Sequence, residues 1–294
     1  MTNAASLPAR AMLYMLVAVA LFALMDAGLK LLSPHYPPLQ VAMLRGASAL
    51  PLVLAWALLS ADPRSLVRVH WRLHWLRGVL GIGMMFGFVY GLRTLPLSTA
   101  YAITFVSPLL VTAMAVPLLG EKAGPRRWIA IGIGLVGVLV ILRPTGAGML
   151  TLGGLAILLA TLCWAASAIT VRMLAQRDST QAMVFWFMAI LTLGAGALSF
   201  HEWLPIRGEH IWVIAGIGVT GTLAQIALTE AFRRGEASLI APLEYTALIW
   251  GVMLDVALWG VLPDAVTWLG AAIIVASGLY LLRREKAHAV AEPP

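Results

Sequence analysis

The feature that most limits what this chain can fold into is its succession of long apolar runs. They fall at about 11–32, 38–59, 73–92, 97–119, 126–142, 151–172, 181–200, 210–232, 237–259 and 265–282, and are separated by short segments such as Ser33-Pro34-His35-Tyr36-Pro37 and Gly120-Glu121-Lys122-Ala123-Gly124-Pro125. Runs of this length, coiled as helices, match the thickness of a bilayer's hydrocarbon core. Lipid gives backbone N–H and C=O groups no partner, and alternating strand patterns are absent, so the spans are expected to be helical. Composition agrees: 61% of residues are hydrophobic, 11% are charged and mean hydropathy is +0.91. A soluble domain carries roughly 25% charged residues. The expected fold is an all-α integral membrane protein of ten transmembrane helices. The first run continues past Leu24, too long for a signal-peptide core, and is read as a span.

Basic residues set the orientation. The net charge is +7 and the pI is near 10.1, but the cations sit in gaps between apolar runs. They point to membrane lipid and not to nucleic acid as the partner. With the N-terminus inside, the inner segments hold 15 cations (Arg10, Arg64, Arg68, Arg72, Arg77, Lys122, Arg126, Arg127, Arg172, Arg177, Arg233, Arg234, Arg283, Arg284 and Lys286). The outer segments hold 4 (Lys30, Arg93, Arg143 and Arg207), and Arg45 lies within a span. This bias favours both termini on the cytoplasmic side. Cys163 is the single cysteine, so no disulfide framework is expected.

The chain also resembles itself. A shift of 140 residues superposes Gly78 on Gly218, Gly81 on Gly221, Arg93 on Arg233, Ser98 on Ser238, Gly120 on Gly260, Trp128 on Trp268 and Leu142-Arg143 on Leu282-Arg283; a shift of 141 pairs Gln40 with Gln181. Two repeats are expected, over 1–145 and 146–285, with 286–294 as a cytoplasmic tail. Five spans per copy is an odd number, so the second copy enters the membrane from the opposite side. Inverted repeats suit carriers, because two similar halves can exchange inward-open and outward-open shapes.

Charges inside spans cost about 2.5–3.5 kcal/mol each at a helix centre, so they mark a cavity or a pairing. Asp26, Arg45, Glu230, Glu244 and Asp255 qualify. Asp26 and Lys30 are four residues apart on one helical face and read as an ion pair or a coupling site. Asp26, Lys30, Arg45 and Glu244 are the candidates for ion pairing or proton coupling. In the eighth span Gly218, Gly221, Thr222, Gln225 and Thr229 share a small, polar face. That face serves either close packing or, through the amide of Gln225, a cavity wall. Tryptophans such as Trp71, Trp75, Trp128 and Trp212 fit the membrane interface. Tyr90, Tyr101, Trp164, Trp186, Tyr245 and Trp250 read as deeper, either as core or as a wall for apolar or aromatic groups. The substrate-binding candidates are Tyr90, Tyr101, Trp164, Ser167, Trp186, Gln225, Glu244 and Tyr245.

Other patterns carry less. Gly132-Ile133-Gly134-Leu135-Val136-Gly137 and Gly216-Ile217-Gly218-Val219-Thr220-Gly221 fit the spacing of dinucleotide-binding glycines, but both lie in apolar helices with no preceding strand. His70 and His74, four residues apart beside Arg68 and Arg72, read as solvated interface anchors. Residues 129–142 contain no polar side chain and 269–282 only Ser277 and Tyr280, so the fifth and tenth spans are expected to be peripheral supports. No cofactor, metal or catalytic set is expected, and the chain is not read as an enzyme.

These features together resemble the ten-helix EamA branch of the drug/metabolite transporter superfamily over residues 10–285. The resemblance rests on the two repeats, on Ala-Leu-Phe-Ala-Leu-Met-Asp-Ala-Gly-Leu-Lys (20–30) echoing Thr-Leu-Cys-Trp-Ala-Ala-Ser-Ala-Ile-Thr-Val-Arg (161–172), and on Leu119-Gly120-Glu121. The second repeat departs from the pattern at Trp259-Gly260-Val261, where the acidic residue is missing. The resemblance is strongest to aromatic amino-acid exporters. It implies a central cavity, alternating access and outward movement of small molecules, in particular amino acids, across a bacterial inner membrane. A monomer or weak oligomer is expected. Export of another metabolite or drug is the alternative.

Overall fold

A computed structural model describes residues 6–60, 64–94, 100, 103–121, 124–142, 152–260, 265–266, 268–270, 272–273 and 275–277. Among these residues the regular structure is helical. The long helices are α1 (Ser6–Leu32), α2 (Pro38–Ser60), α3 (Trp71–Thr94), α4 (Ser107–Leu119), α5 (Pro125–Leu142), α6 (Leu152–Leu174), α7 (Thr180–Ser199), α8 (Ile211–Arg234), α9 (Ala247–Trp259) and α10 (Trp268–Ser277). Single helical turns occur at Arg64–Val67 and Ala237–Ile240.

Seven described segments are long and apolar enough to cross a membrane: Ala9–Leu32, Pro38–Leu59, Trp71–Arg93, Leu152–Leu174, Thr180–Glu202, Gly208–Arg234 and Ala241–Trp259. Shorter apolar helices, Leu109–Leu119, Trp128–Gly137 and Trp268–Ser277, occupy the places of the expected fourth, fifth and tenth spans. The chain is thus a multi-pass membrane protein. The expected ninth span is not one continuous α-helix. A 3₁₀ stretch, Ala241–Thr246, precedes α9, and Pro242 sits at its start, where its missing N–H is tolerated.

The helices pair in an order that sequence distance alone does not suggest. α1 lies along α8, α3 along α6 and α2 along α7; α2 also meets α8, and α3 meets α7. Exchanging α1 with α6, α2 with α7 and α3 with α8 leaves this set of contacts unchanged. Small residues let these backbones approach. A Cβ on Gly87 of α3 would lie 2.4 Å from the Ala156 carbonyl oxygen of α6, and one on Gly218 of α8 would lie 2.8 Å from the Ser48 backbone of α2. Two glycines do a different job. Gly120 ends α4 with φ +68° and Gly260 follows α9 with φ +66°, the left-handed conformation that stops a helix without a Cβ clash. They are 140 residues apart, the shift at which the sequence matches itself.

α5 and its counterpart α10 touch through Ser277, whose hydroxyl donates to the Ala130 carbonyl at 2.6 Å. α5 also receives the ring of Tyr245 against Gly134.

Candidate functional site

A cavity of about 140 Å³ lies among α1, α2, α3, α6, α8 and the segments leading into α4 and α9. Most of its wall is apolar: Met15, Val19, Phe22, Met84, Met85, Phe88, Phe105 and Leu228. Three ionisable side chains break that surface, Asp26, Arg45 and Glu244, together with Thr104, Thr161 and Trp164.

Helix geometry brings these groups inward. Arg45 is only 2% exposed; its Nη1 donates to the Met85 sulfur at 2.8 Å and its guanidinium stands 6.0 Å from the Phe22 ring. Its Nε is buried with no hydrogen-bond partner among the described residues. Asp26 acts on Arg45 electrostatically. Opposite them, the Trp164 indole N–H donates to Glu244 Oε1 at 3.0 Å, and the Trp164 ring meets Phe22 edge-on at 6.0 Å. The cavity therefore offers aromatic surface, two carboxylates and a guanidinium donor left unmatched. A buried donor without an acceptor costs about 1–3 kcal/mol, which a bound solute or water can offset.

The expected site residues divide accordingly. Asp26, Arg45, Trp164 and Glu244 come together at the cavity. Lys30 instead lies over the Trp259 ring, with Nζ 4.0 Å from its centroid. Tyr90 stacks on Phe86 at 6.0 Å, Ser167 is buried within α6, and Tyr245 packs on Phe105 with its hydroxyl donating to the Ile131 carbonyl at 3.4 Å. Gln225 is buried in α8 outside the cavity lining. The neighbouring Gly218 and Gly221 pack on Ser48 and Met25. Trp186 stands at the end of the bundle, where its indole N–H donates to the Leu66 carbonyl at 2.7 Å and its ring contacts Trp71. Tyr101 and the side chain of Asp255 lie outside the described residues. Met84, Met85, Phe22, Phe88 and Phe105 line the site without having been singled out. Apolar lining reads in sequence like any core residue.

Both ends of the bundle carry polar fastenings. At one end Arg93 donates to the carbonyls of Ser33 (3.2 Å) and Tyr36 (2.9 Å), the turn between α1 and α2. The Tyr36 hydroxyl bonds His210 Nδ1 at 2.8 Å and accepts from the Arg207 N–H, while Gln40 makes two bonds to the backbone of Leu204. At the other end Arg233 donates to the Asp178 carbonyl (3.1 Å) and the Thr180 hydroxyl (3.2 Å), at the turn between α6 and α7. Arg93 and Arg233, paired by the 140-residue shift, thus hold corresponding turns. Glu121 accepts from the Ala237 N–H at 2.9 Å and lies 3.7 Å from Arg172, which in turn donates to the carbonyls of Phe232 and Arg233. This joins the ends of α4, α6 and α8 to the start of the ninth segment.

Of the two histidines expected as solvated anchors, His70 keeps about half of its side chain exposed, whereas His74 is buried. His74 is 1% exposed, and Asp178, six residues past the end charge of α6 at Arg172, reaches both rings: His70 Nδ1 at 2.8 Å and His74 Nε2 at 2.9 Å. The His70 backbone N–H adds a third bond at 3.0 Å. Burial works against the charged carboxylate of Asp178, but the hydrogen bonds from His70 and His74 outweigh it and hold this carboxyl below its usual range. Arg77, counted with the loop cations, is also buried and fastens α3 to α7 through the Met183 carbonyl at 2.8 Å.

Comparison with known proteins places this architecture. The chain is 29% identical to a riboflavin transporter of Vibrio cholerae over 95% of its own length and 94% of that protein. It is 27% identical to a pseudopaline exporter of Pseudomonas aeruginosa over 90% of its length and 93% of that protein. A solved structure superposes with a TM-score of 0.79 at 21% identity, covering 94% of this chain and 98% of the other, which supports the fold alone. Residues 9–143 and 151–283 each match the EamA-like transporter family, once per expected repeat. The chain is a membrane transporter belonging to the EamA-like transporter family of the drug/metabolite transporter superfamily.

Proposed function

We propose that the protein is a secondary transporter that carries a small metabolite with a ring or other apolar body and a charged group. The solute passes through the central cavity by alternating access between two inverted five-helix halves, 1–145 and 146–285, with both termini in the cytoplasm of a bacterial cell. The observation that carries the reading is Arg45, a buried guanidinium with an unmatched Nε in a wall otherwise made of Phe, Met and Trp. Such a wall accepts apolar surface, and the guanidinium offers a charge-assisted bond to an anionic or carbonyl group. The symmetric contact pattern, the paired glycine stops and the two arginine clamps support two related halves that can rock against each other. At about 140 Å³ the cavity is smaller than the ~300–1,000 Å³ of pockets for drug-sized ligands. Larger solutes need the halves to part.

Amino-acid export is the second reading. It is favoured by Asp26 and Arg45 lining the same cavity, opposite charges that would suit an ammonium and a carboxylate on one molecule.

The test is flux into and out of liposomes reconstituted with the pure protein. The panel contains labelled aromatic amino acids, riboflavin and organic acids, each with and without a pH gradient. Saturable flux of a ring-bearing solute, lost in Arg45→Met, is expected. Flux of aromatic amino acids above the rest selects the second reading. Equal rates for Arg45→Met and the parent protein remove this cavity from the path.

A further inference from the structure

A second cavity, of about 490 Å³, lies where α3 begins and α4 and α6 end, away from the central cavity. On α6 it begins at Met173, nine residues from Trp164, or about 13 Å along the helix axis. Its wall has two zones. Leu73, Leu118, Leu119 and Met173 form an apolar side, and Arg72 and Arg177 form a cationic side. No acidic residue lines it among the described residues. Both arginines are exposed, and neither has an ion-pair partner among the described residues. They come from different halves of the chain, one opening α3 and the other following α6. Trp71, at the first turn of α3, borders the cavity, and tryptophan is enriched at membrane–water interfaces.

We infer that this cavity binds an anionic phospholipid of the adjoining leaflet, the phosphate lying between Arg72 and Arg177 and the upper acyl chain along Leu118, Leu119 and Met173. Each zone excludes a rival occupant. A zwitterionic lipid brings its own ammonium to a rim that holds two guanidiniums and, among the described residues, no carboxylate, and a small soluble anion leaves the apolar side uncovered. Basic pockets between transmembrane helices recognise anionic head groups by this combination. A lipid held there bridges the first half to the second.

The experiment is thermal unfolding of the full chain in neutral detergent, with added phosphatidylglycerol, phosphatidylcholine or glycerol 3-phosphate. Phosphatidylglycerol is expected to raise the Tm by several degrees, and the other two to leave it unchanged. The double variant Arg72→Gln/Arg177→Gln should lose most of that rise, as should Gln176→Glu, which sets a negative charge in the same pocket without removing a native cation. Arg68→Gln, an exposed cation outside the pocket, should keep it. Equal shifts with phosphatidylcholine, a shift reproduced by glycerol 3-phosphate, or a full response in both pocket variants would overturn the assignment.

Discussion

Burying Arg45 in hydrocarbon is costly unless something at the site uses it, and its neighbours offer little in return: a methionine sulfur, an aromatic face, and the field of Asp26. A methionine there keeps much of the volume and removes the charge, so Arg45→Met should insert and fold normally while transport falls at least about ten-fold, a loss of roughly 1.4 kcal/mol in transition-state or substrate binding. Unchanged kinetics with normal expression would sink that role. Glu244→Gln keeps an acceptor for the Trp164 indole N–H but removes a titrating group. If Glu244 carries the coupled proton, the variant should exchange solute while losing its response to a pH gradient. An intact gradient response excludes it. At this scale the sequence was half legible. A charge inside an apolar run stands out whatever its surroundings, so Asp26, Arg45 and Glu244 could be named. Depth and facing of an aromatic cannot be read the same way, since Trp186 and Trp164 look alike in sequence yet lie at the bundle's end and in its centre. Phe22 and Phe88 carried no signal that separates a cavity wall from a core.

Between helices, contact is governed by what a Cβ would strike. At Gly87 the obstacle is the carbonyl oxygen of Ala156, which is backbone and cannot swing aside. Gly87→Leu should force α3 from α6 and cost about 1–3 kcal/mol or more as overpacking, read as a lowered Tm in detergent. Gly132→Ala meets nothing within 4 Å and is the control. If both variants unfold alike, close packing is not what Gly87 provides. The link between Asp178 and the α3 histidines has a pH signature. Its folded-state carboxyl sits below the unfolded value of about 3.9, so its contribution is fully present above that value and is lost as pH falls through the folded one. Asp178→Asn should cost about 1–3 kcal/mol near neutrality by weakening three bonds, and the gap from the parent protein should close as pH drops below about 4. A gap that stays constant to pH 3 would refute it. The sequence showed the histidines but not their acceptor, which lies more than a hundred residues away and acts only once α3 packs on α6 and α7. The glycine stops were easier, because Gly120 and Gly260 answer a local backbone demand that recurs at a fixed shift.

For the molecule as a whole, the places of seven spans were legible because bilayer thickness sets their length, while the fourth, fifth and tenth expected spans are shorter apolar helices among the described residues. The internal match at 140 residues paired Arg93 with Arg233 before either was seen to clamp a turn. The pairing of α1 with α8 and of α3 with α6 was not legible, since it depends on small surfaces meeting across the two halves. The proposed reading of two inverted halves requires opposite insertion. His35 and Gln176 are 141 residues apart, stand in corresponding turns and are both exposed. In a Cys163→Ser background, His35→Cys should react with a membrane-impermeant maleimide on intact cells, and Gln176→Cys only after the membrane is opened. Two halves inserted in the same sense would put both cysteines on one face, and the exchange of inward-open for outward-open shapes would lose its structural basis. Opposite labelling leaves one further consequence. Glu121, which ties α4 to the ninth segment, has only Val261 at the matching place. Glu121→Gln should therefore loosen the cytoplasmic end alone, raising labelling of a cysteine at Gln176 while leaving one at His35 unchanged. Equal gains at both positions would mean that Glu121 holds the bundle together as a whole and is no gate.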